Sequence, residues 1–300
     1  MKFTIAAAVL LAASSARARP TRRDVTGDPQ ILNFALTLEF LESDFYRQTT
    51  AKFPASDYPA AGFQTWVGAR FKQISAHEAT HVKFLSDALA AAGAAAVEPC
   101  QYKFPITDLK SAIELAETLE AVGSTAYTGA IPSIANKDYV LAAASILGEE
   151  ARHAAWINSA VLSGSPWDTA FQTALGPSQV FTLASQFITS CPEGNAAQLP
   201  PLTPFPALTL DGATPGKTVS ASFAAPDAAK APLYAAFIAG IGAPVFVPVQ
   251  DGNNVAIPPD LIGFVFCVIT NSSTAADDAA TVAGPAVLKF DFNSNGDLID

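Results

Sequence analysis

The chain has 300 residues, enough for one large or two medium domains, and half of them are hydrophobic, so it can bury a sizeable core. Its formal net charge is −10, and no Lys/Arg cluster stands outside the N-terminus. That excludes a nucleic-acid partner, since phosphate binding needs a concentrated basic face.

Met1-Lys2 supplies a positive start, Ile5–Ala13 a short apolar run and Ala16-Arg17-Ala18 a small-residue cleavage pattern. Residues 1–18 therefore read as a secretory signal cut after Ala18, with Arg22-Arg23 a second, dibasic processing site. The competing reading is a buried first helix, which the polar stretch Arg17–Arg23 disfavours. The apolar run is too short to span a bilayer. Leu233–Val249 is apolar too, but Pro244 and Pro248 interrupt it, so no membrane span is predicted.

Asp28-Pro29 pairs an N-cap residue with Pro at the first helical position. Ile31, Leu32, Ala35, Leu38, Leu41 and Phe45 follow at helical spacing, predicting a first helix to about Thr50. After a loop over Phe53–Pro59, a second helix is predicted from Ala61 to Ala92, with Phe71, Ile74, His81, Phe84, Leu85 and Leu89 on its buried side and Gly93 as its stop. Glu98–Phe104 reads as a linker. Thr107 or Asp108 caps a third helix that runs towards Ile131, where Pro132 kinks or ends it. A fourth covers Asp138–Ser163, and one or two helical segments lie between Trp167 and Ile188.

Composition shifts at Cys191. Residues 191–231, rich in Pro, Ala, Thr and Gly, read as a linker after a helical unit over 28–190. Short β-leaning runs then predict a small sandwich-like β domain over 232–300, or from 205 if Pro206–Leu210 and Lys217–Phe223 belong to it. Three cysteines in a secreted chain predict one disulfide and one leftover thiol. Cys100 and Cys191 both follow helices and sit in loops, so they are the preferred pair, while Cys267 lies in an apolar strand. Asn271-Ser272-Ser273 is a glycosylation sequon.

The chemistry-bearing pattern is a duplication. Glu78-Ala-Thr-His81 and Glu150-Ala-Arg-His153 each place a carboxylate and an imidazole three residues apart, on one helix face, and use two of the three histidines. Upstream, Thr37-Leu38-Glu39 through Tyr46 aligns without a gap with Thr118-Leu119-Glu120 through Tyr127. Thr, Leu, Glu, Ser and Tyr match. The order is a lone Glu39, then Glu78/His81, a lone Glu120, then Glu150/His153. That constellation is the di-metal carboxylate site of ferritin-like four-helix bundles.

On these residues the chain resembles ferritin-like domain proteins over roughly Asp28–Thr189, most closely the secreted fungal stress- or nutrient-responsive members related to plant desiccation-related proteins. The resemblance implies a mainly α fold: a ferritin-like four-helix bundle, here with an added helical segment and the β domain. It also implies two iron or manganese ions, with Glu39 and Glu120 as terminal ligands, Glu78 and Glu150 bridging, and His81 and His153 on one metal each. Charge balance points the same way. Four carboxylates facing one core are costly unless neutralised, although a metal-free polar seam is the alternative.

Four further residues are candidates for orienting the ligands. Glu42, opposite Gly123 in the repeat, reads as an extra ligand or an ordinary solvated Glu. His77, four before His81, reads as a ligand-orienting or surface residue. Tyr46 and Tyr127, each seven past its lone Glu, read as hydrogen-bond donors to a carboxylate or as core aromatics. A Gly-rich phosphate loop, a Gly-x-Ser-x-Gly elbow and a Cys-x-x-Cys pair are all absent from the sequence. Two functions compete. One is a secreted di-metal oxidoreductase, ferroxidase-like or catalase-like, handling Fe(II), dioxygen or peroxide. The other is a non-catalytic extracellular or cell-wall stress-response scaffold that binds a partner through its β domain.

Overall fold

The computed structural model describes residues 27–224 and 232–299. The predicted signal at 1–18, Arg22-Arg23 and the end of the predicted linker lie outside the described residues. The first helix, α1, spans Asp28–Lys52 with Pro29 in its first turn. Asp28 was expected to cap it, but Gly27 holds that place. The Asp28 carboxylate instead accepts the backbone N–H groups of Ala135 and Asn136, both at 2.8 Å, and ties the start of α1 to a loop more than a hundred residues away.

The second long helix starts later than predicted. A four-residue turn of helix, α2 (Asp57–Ala60), precedes a break at Gly62, whose φ is +89°, and α3 runs from Val67 to Ala91. Gly62 is the physical reason: at that positive φ it cannot continue a helix begun at Ala61. Gly93, at φ +66°, ends α3 as predicted. Phe84, expected on its buried face, is 44% exposed.

Asp108 caps α4 (Leu109–Ala130), its carboxylate accepting the Ser111 N–H at 2.8 Å in a capping box. Pro132 lies in a 3₁₀ turn that closes the helix. The fourth long helix, α5 (Lys137–Trp156), continues as a π turn over Ile157–Val161. One helix, α6 (Pro177–Ser185), occupies the stretch between Trp167 and Ile188. In the bundle α1 packs along α3, α4 along α5, and α1 against α4.

The stretch read as a linker holds a strand, β1 (Gln101–Tyr102), which pairs antiparallel with β2 (Ile188–Ser190). Beside this pair the Cys100–Cys191 disulfide joins the exit of α3 to the exit of α6. Cys267 is a buried free thiol, pushed far up by burial.

Seven more strands make two antiparallel sheets. β3 (Leu208–Leu210), β4 (Thr218–Phe223) and β7 (Asn254–Ala256) form one in the order β3-β4-β7. β5 (Tyr234–Ile238), β6 (Val245–Pro248), β8 (Gly263–Thr270) and β9 (Thr281–Phe290) form the other in the order β6-β5-β8-β9. All of β8 is buried, which alternation explains. Val265, Cys267 and Ile269 face the first sheet's Leu208, Ala221 and Val255, while Phe266 and Val268 join the core of Phe45, Phe71 and Ile113 in the bundle. The four-stranded sheet is thus the middle layer between helices and a second sheet. Each fully buried Phe or Val in it contributes roughly 1.5–3 kcal/mol.

Candidate metal centre

Helical spacing brings the matched residues to one place. Glu39 and Tyr46 sit two turns apart on α1, Glu120 and Tyr127 likewise on α4, and Glu78/His81 and Glu150/His153 each sit one turn apart on α3 and α5. Glu39, Glu78, Glu120 and Glu150 are all 0% exposed. Their carboxylates converge with the two imidazoles in the middle of the bundle.

The donors fall into two groups. Glu39, Glu78, His81 and Glu150 form one, Glu78, Glu120, Glu150 and His153 the other; within each, one ligand atom per residue lies within 4.8 Å of all the others. Glu78 and Glu150 belong to both. His81 Nδ1 lies 3.2 Å from Glu78 Oε2, 3.3 Å from Glu39 Oε2 and 3.5 Å from Glu150 Oε1. His153 Nδ1 lies 3.0 Å from Glu120 Oε2 and 3.5 Å from Glu78 Oε1. Glu78 therefore turns one oxygen to each half.

The tyrosines complete a pseudo-twofold arrangement. Tyr46 Oη donates to Glu120 Oε1 and Tyr127 Oη donates to Glu39 Oε1, each at 2.5 Å. Each tyrosine serves the lone Glu of the other helix, which requires α1 and α4 to run in opposite directions. Burial first, then the adjacent carboxylates, push both phenols well above their ordinary range, so they remain donors at neutral pH.

His77 is exposed, yet its Nδ1 is 3.0 Å from His153 Nε2 and the rings stack. It holds the outer nitrogen of His153 while the inner one faces the carboxylates. Glu149, next to Glu150 in sequence, joins His77 and His153 in a third, outer cluster. Glu42 is 4% exposed but lies outside both inner groups. Its place is explained by Gly123: a Cβ there would come within 2.5 Å of Glu150 Oε2 and 2.9 Å of Glu42 Oε1. The missing side chain in the repeat makes room for two carboxylates.

The chemistry of the donor set fits metal. Glu39 Oε2, Glu78 Oε1 and both oxygens of Glu150 are buried and make no hydrogen bond. Among the described residues no Lys or Arg pairs with any of the four ligand-type glutamates. Without cations the charge is unsupportable: burial first, then neighbouring carboxylates, raise Glu42, Glu78 and Glu150 well above the usual carboxylate range. Burial alone would lower His81, but the Glu39 and Glu78 carboxylates beside it override that and carry it to about 10. Three carboxylates and one imidazole per group suit iron or manganese.

Comparison with known proteins agrees with this geometry. Residues 27–163 match the ferritin-like domain family. Protein rds1 of Schizosaccharomyces pombe is similar at 25% identity over 169 residues, covering 56% of this chain and 41% of that protein, so less than half of the relative's length is represented. With the four helices, the duplicated Glu-x-x-His pattern and the shared glutamates in hand, residues 27–163 are a ferritin-like domain.

Proposed function

We propose that this chain is a secreted di-metal oxidoreductase that binds two iron or manganese ions between its four long helices. Glu39, Glu78, His81 and Glu150 would hold one ion, and Glu78, Glu120, Glu150 and His153 the other. The single observation that carries this reading is that two donor groups share Glu78 and Glu150 while four buried carboxylate oxygens find no donor. The chemistry such a pair supplies when bound is electron transfer to dioxygen or peroxide, with Fe(II) as a further substrate.

The protein's own groups set the stage for that chemistry. Tyr46 and Tyr127 orient Glu120 and Glu39 and hold their protons at Oη. His77 fixes the tautomer of His153 through Nε2. The four glutamates, each 0% exposed, are shielded from bulk water. Secretion is supported by the signal-like N-terminus and by the disulfide; among the described residues no helix is long and apolar enough to cross a membrane. Asn271, exposed at the end of β8, is proposed to carry a glycan, and a role under stress remains part of this reading.

Elemental analysis of protein prepared with Fe or Mn tests the proposal. About two ions per chain are expected, with Glu150→Ala lowering occupancy and any Fe(II) or peroxide turnover together. Well under one ion per chain overturns the metal reading. Full occupancy with no turnover of either substrate favours the non-catalytic scaffold.

A further inference from the structure

A second feature adjoins the cluster from the side of the sheets. Between α1, α4, α6, β3 and β9 lies a cavity of about 360 Å³. Its walls are apolar, with Leu38, Leu119, Val122, Leu183, Leu210 and Leu288 contributing from all five elements. Thr209, Gln186 and Asp211, all exposed, mark the outer rim. The inner end is Glu42 and Gly123.

Glu42 is the unusual part of this lining. Its residue is only 4% exposed, and it is the one carboxylate at the inner end of the cavity lining. Immediately beside it, over Gly123, stands Glu150 Oε2. A molecule filling the cavity would therefore end on Glu42, with only the bare Gly123 backbone between it and the carboxylate cluster. A volume of this size lies in the ~300–1,000 Å³ range of small-molecule pockets, which are mostly apolar with a few polar groups that fix orientation.

We propose that this cavity is the binding pocket for an uncharged, largely apolar organic molecule carrying a hydroxyl, seated with the hydroxyl on Glu42. A carboxyl group offers that hydroxyl an acceptor. An anionic head group is disfavoured, because Glu42 at the inner end and Asp211 at the rim are both acidic. The pocket exists only because the C-terminal sheets close over the bundle: Leu210 comes from β3 and Leu288 from β9. The sheets would thereby give the di-metal centre its organic substrate. This deepens the function proposed above, although binding itself needs no metal.

Calorimetric or ligand-observed NMR titration of the full chain with 4-butylphenol, 1-heptanol and heptanoate tests it, with metal content measured on the same samples. The phenol and the alcohol are expected to bind saturably at one site, and heptanoate at least about tenfold more weakly, since its charge would have to be buried. Leu183→Trp and Leu210→Trp, which fill the cavity from different elements, should each lower affinity at least about tenfold. Glu42→Met should weaken the alcohol at least about tenfold by removing its acceptor. No saturable binding to wild-type protein of normal helical content overturns the proposal. So do affinities unchanged in both filling variants, or heptanoate binding as tightly as heptanol. Metal content separates the two readings: alcohol binding by a metal-free chain sinks only the di-metal reading, and a metal-loaded chain without alcohol binding sinks only the pocket.

Discussion

Among the described residues the four buried carboxylates have no lysine or arginine beside them, and each lone glutamate receives a hydroxyl from the tyrosine of the opposite helix. Removing one such hydroxyl leaves a buried carboxylate oxygen without a donor. Tyr46→Phe and Tyr127→Phe should each lower stability by about 1–2 kcal/mol in urea unfolding. Because both act on one cluster, the double variant should depart from the sum of the two. His77→Ala should weaken metal binding about 10–100-fold in competition with a chelator, the usual consequence of losing a ligand's outer hydrogen bond. Gly123→Val should leave the helical signal in circular dichroism intact but bring metal content below that of wild type, because its side chain takes the place of the Glu42 and Glu150 carboxylates. The six ligand candidates were legible from their spacing and duplication. The crossed tyrosine bonds were not, because a period of 3.6 places residues on a face without saying which helix faces them or in which direction it runs.

At the scale of elements, the chain's local chemistry and its long-range ties divide the work. Asp108 and Gly93 act on their own helices, as their sequence context implies, whereas Asp28 acts on the loop before α5. That exchange is tertiary: once Gly27 occupies the cap position, a free carboxylate meets two unpaired N–H groups of a distant loop. β1 and β2 are similarly invisible beforehand, since strands of two and three residues carry no periodicity; the disulfide between Cys100 and Cys191 accompanies them. The bridge spans a sequence separation of 91, so its loss frees a long loop in the unfolded chain. Cys191→Ser is expected to destabilise the protein by about 2–5 kcal/mol in chemical denaturation. Thiol titration of the unfolded, unreduced wild type should find Cys267 alone.

For the whole molecule, the decisive contact is between sheet and bundle. Lys289 of β9 reaches Glu117 of α4 at 2.8 Å, Asn158 of the π turn at 2.9 Å and Asp291 at 3.2 Å. Burial raises Glu117 from its ordinary 4.5 to about 7, against the opposing pull of Lys289. A carboxyl raised on folding stabilises the native state below its unfolded value and loses that contribution as pH climbs through the folded one. Stability should therefore fall by about 2 kcal/mol from this group between about pH 5 and about pH 8, and Glu117→Gln should remove that part of the slope. Lys289→Met should cost about 2 kcal/mol more at the upper pH than at the lower, because it leaves a charged carboxylate without its partner. Urea unfolding at both pH values checks both.

From its sequence alone this protein's helical class, its six ligand candidates and its paired cysteines could be read, because each rests on local spacing or on residue chemistry repeated along the chain. Tertiary structure alone decided which tyrosine serves which glutamate, why Gly123 must be bare, and that the sheets close a cavity over Glu42. Those outcomes depend on distances between segments far apart in the chain, and no local periodicity encodes them.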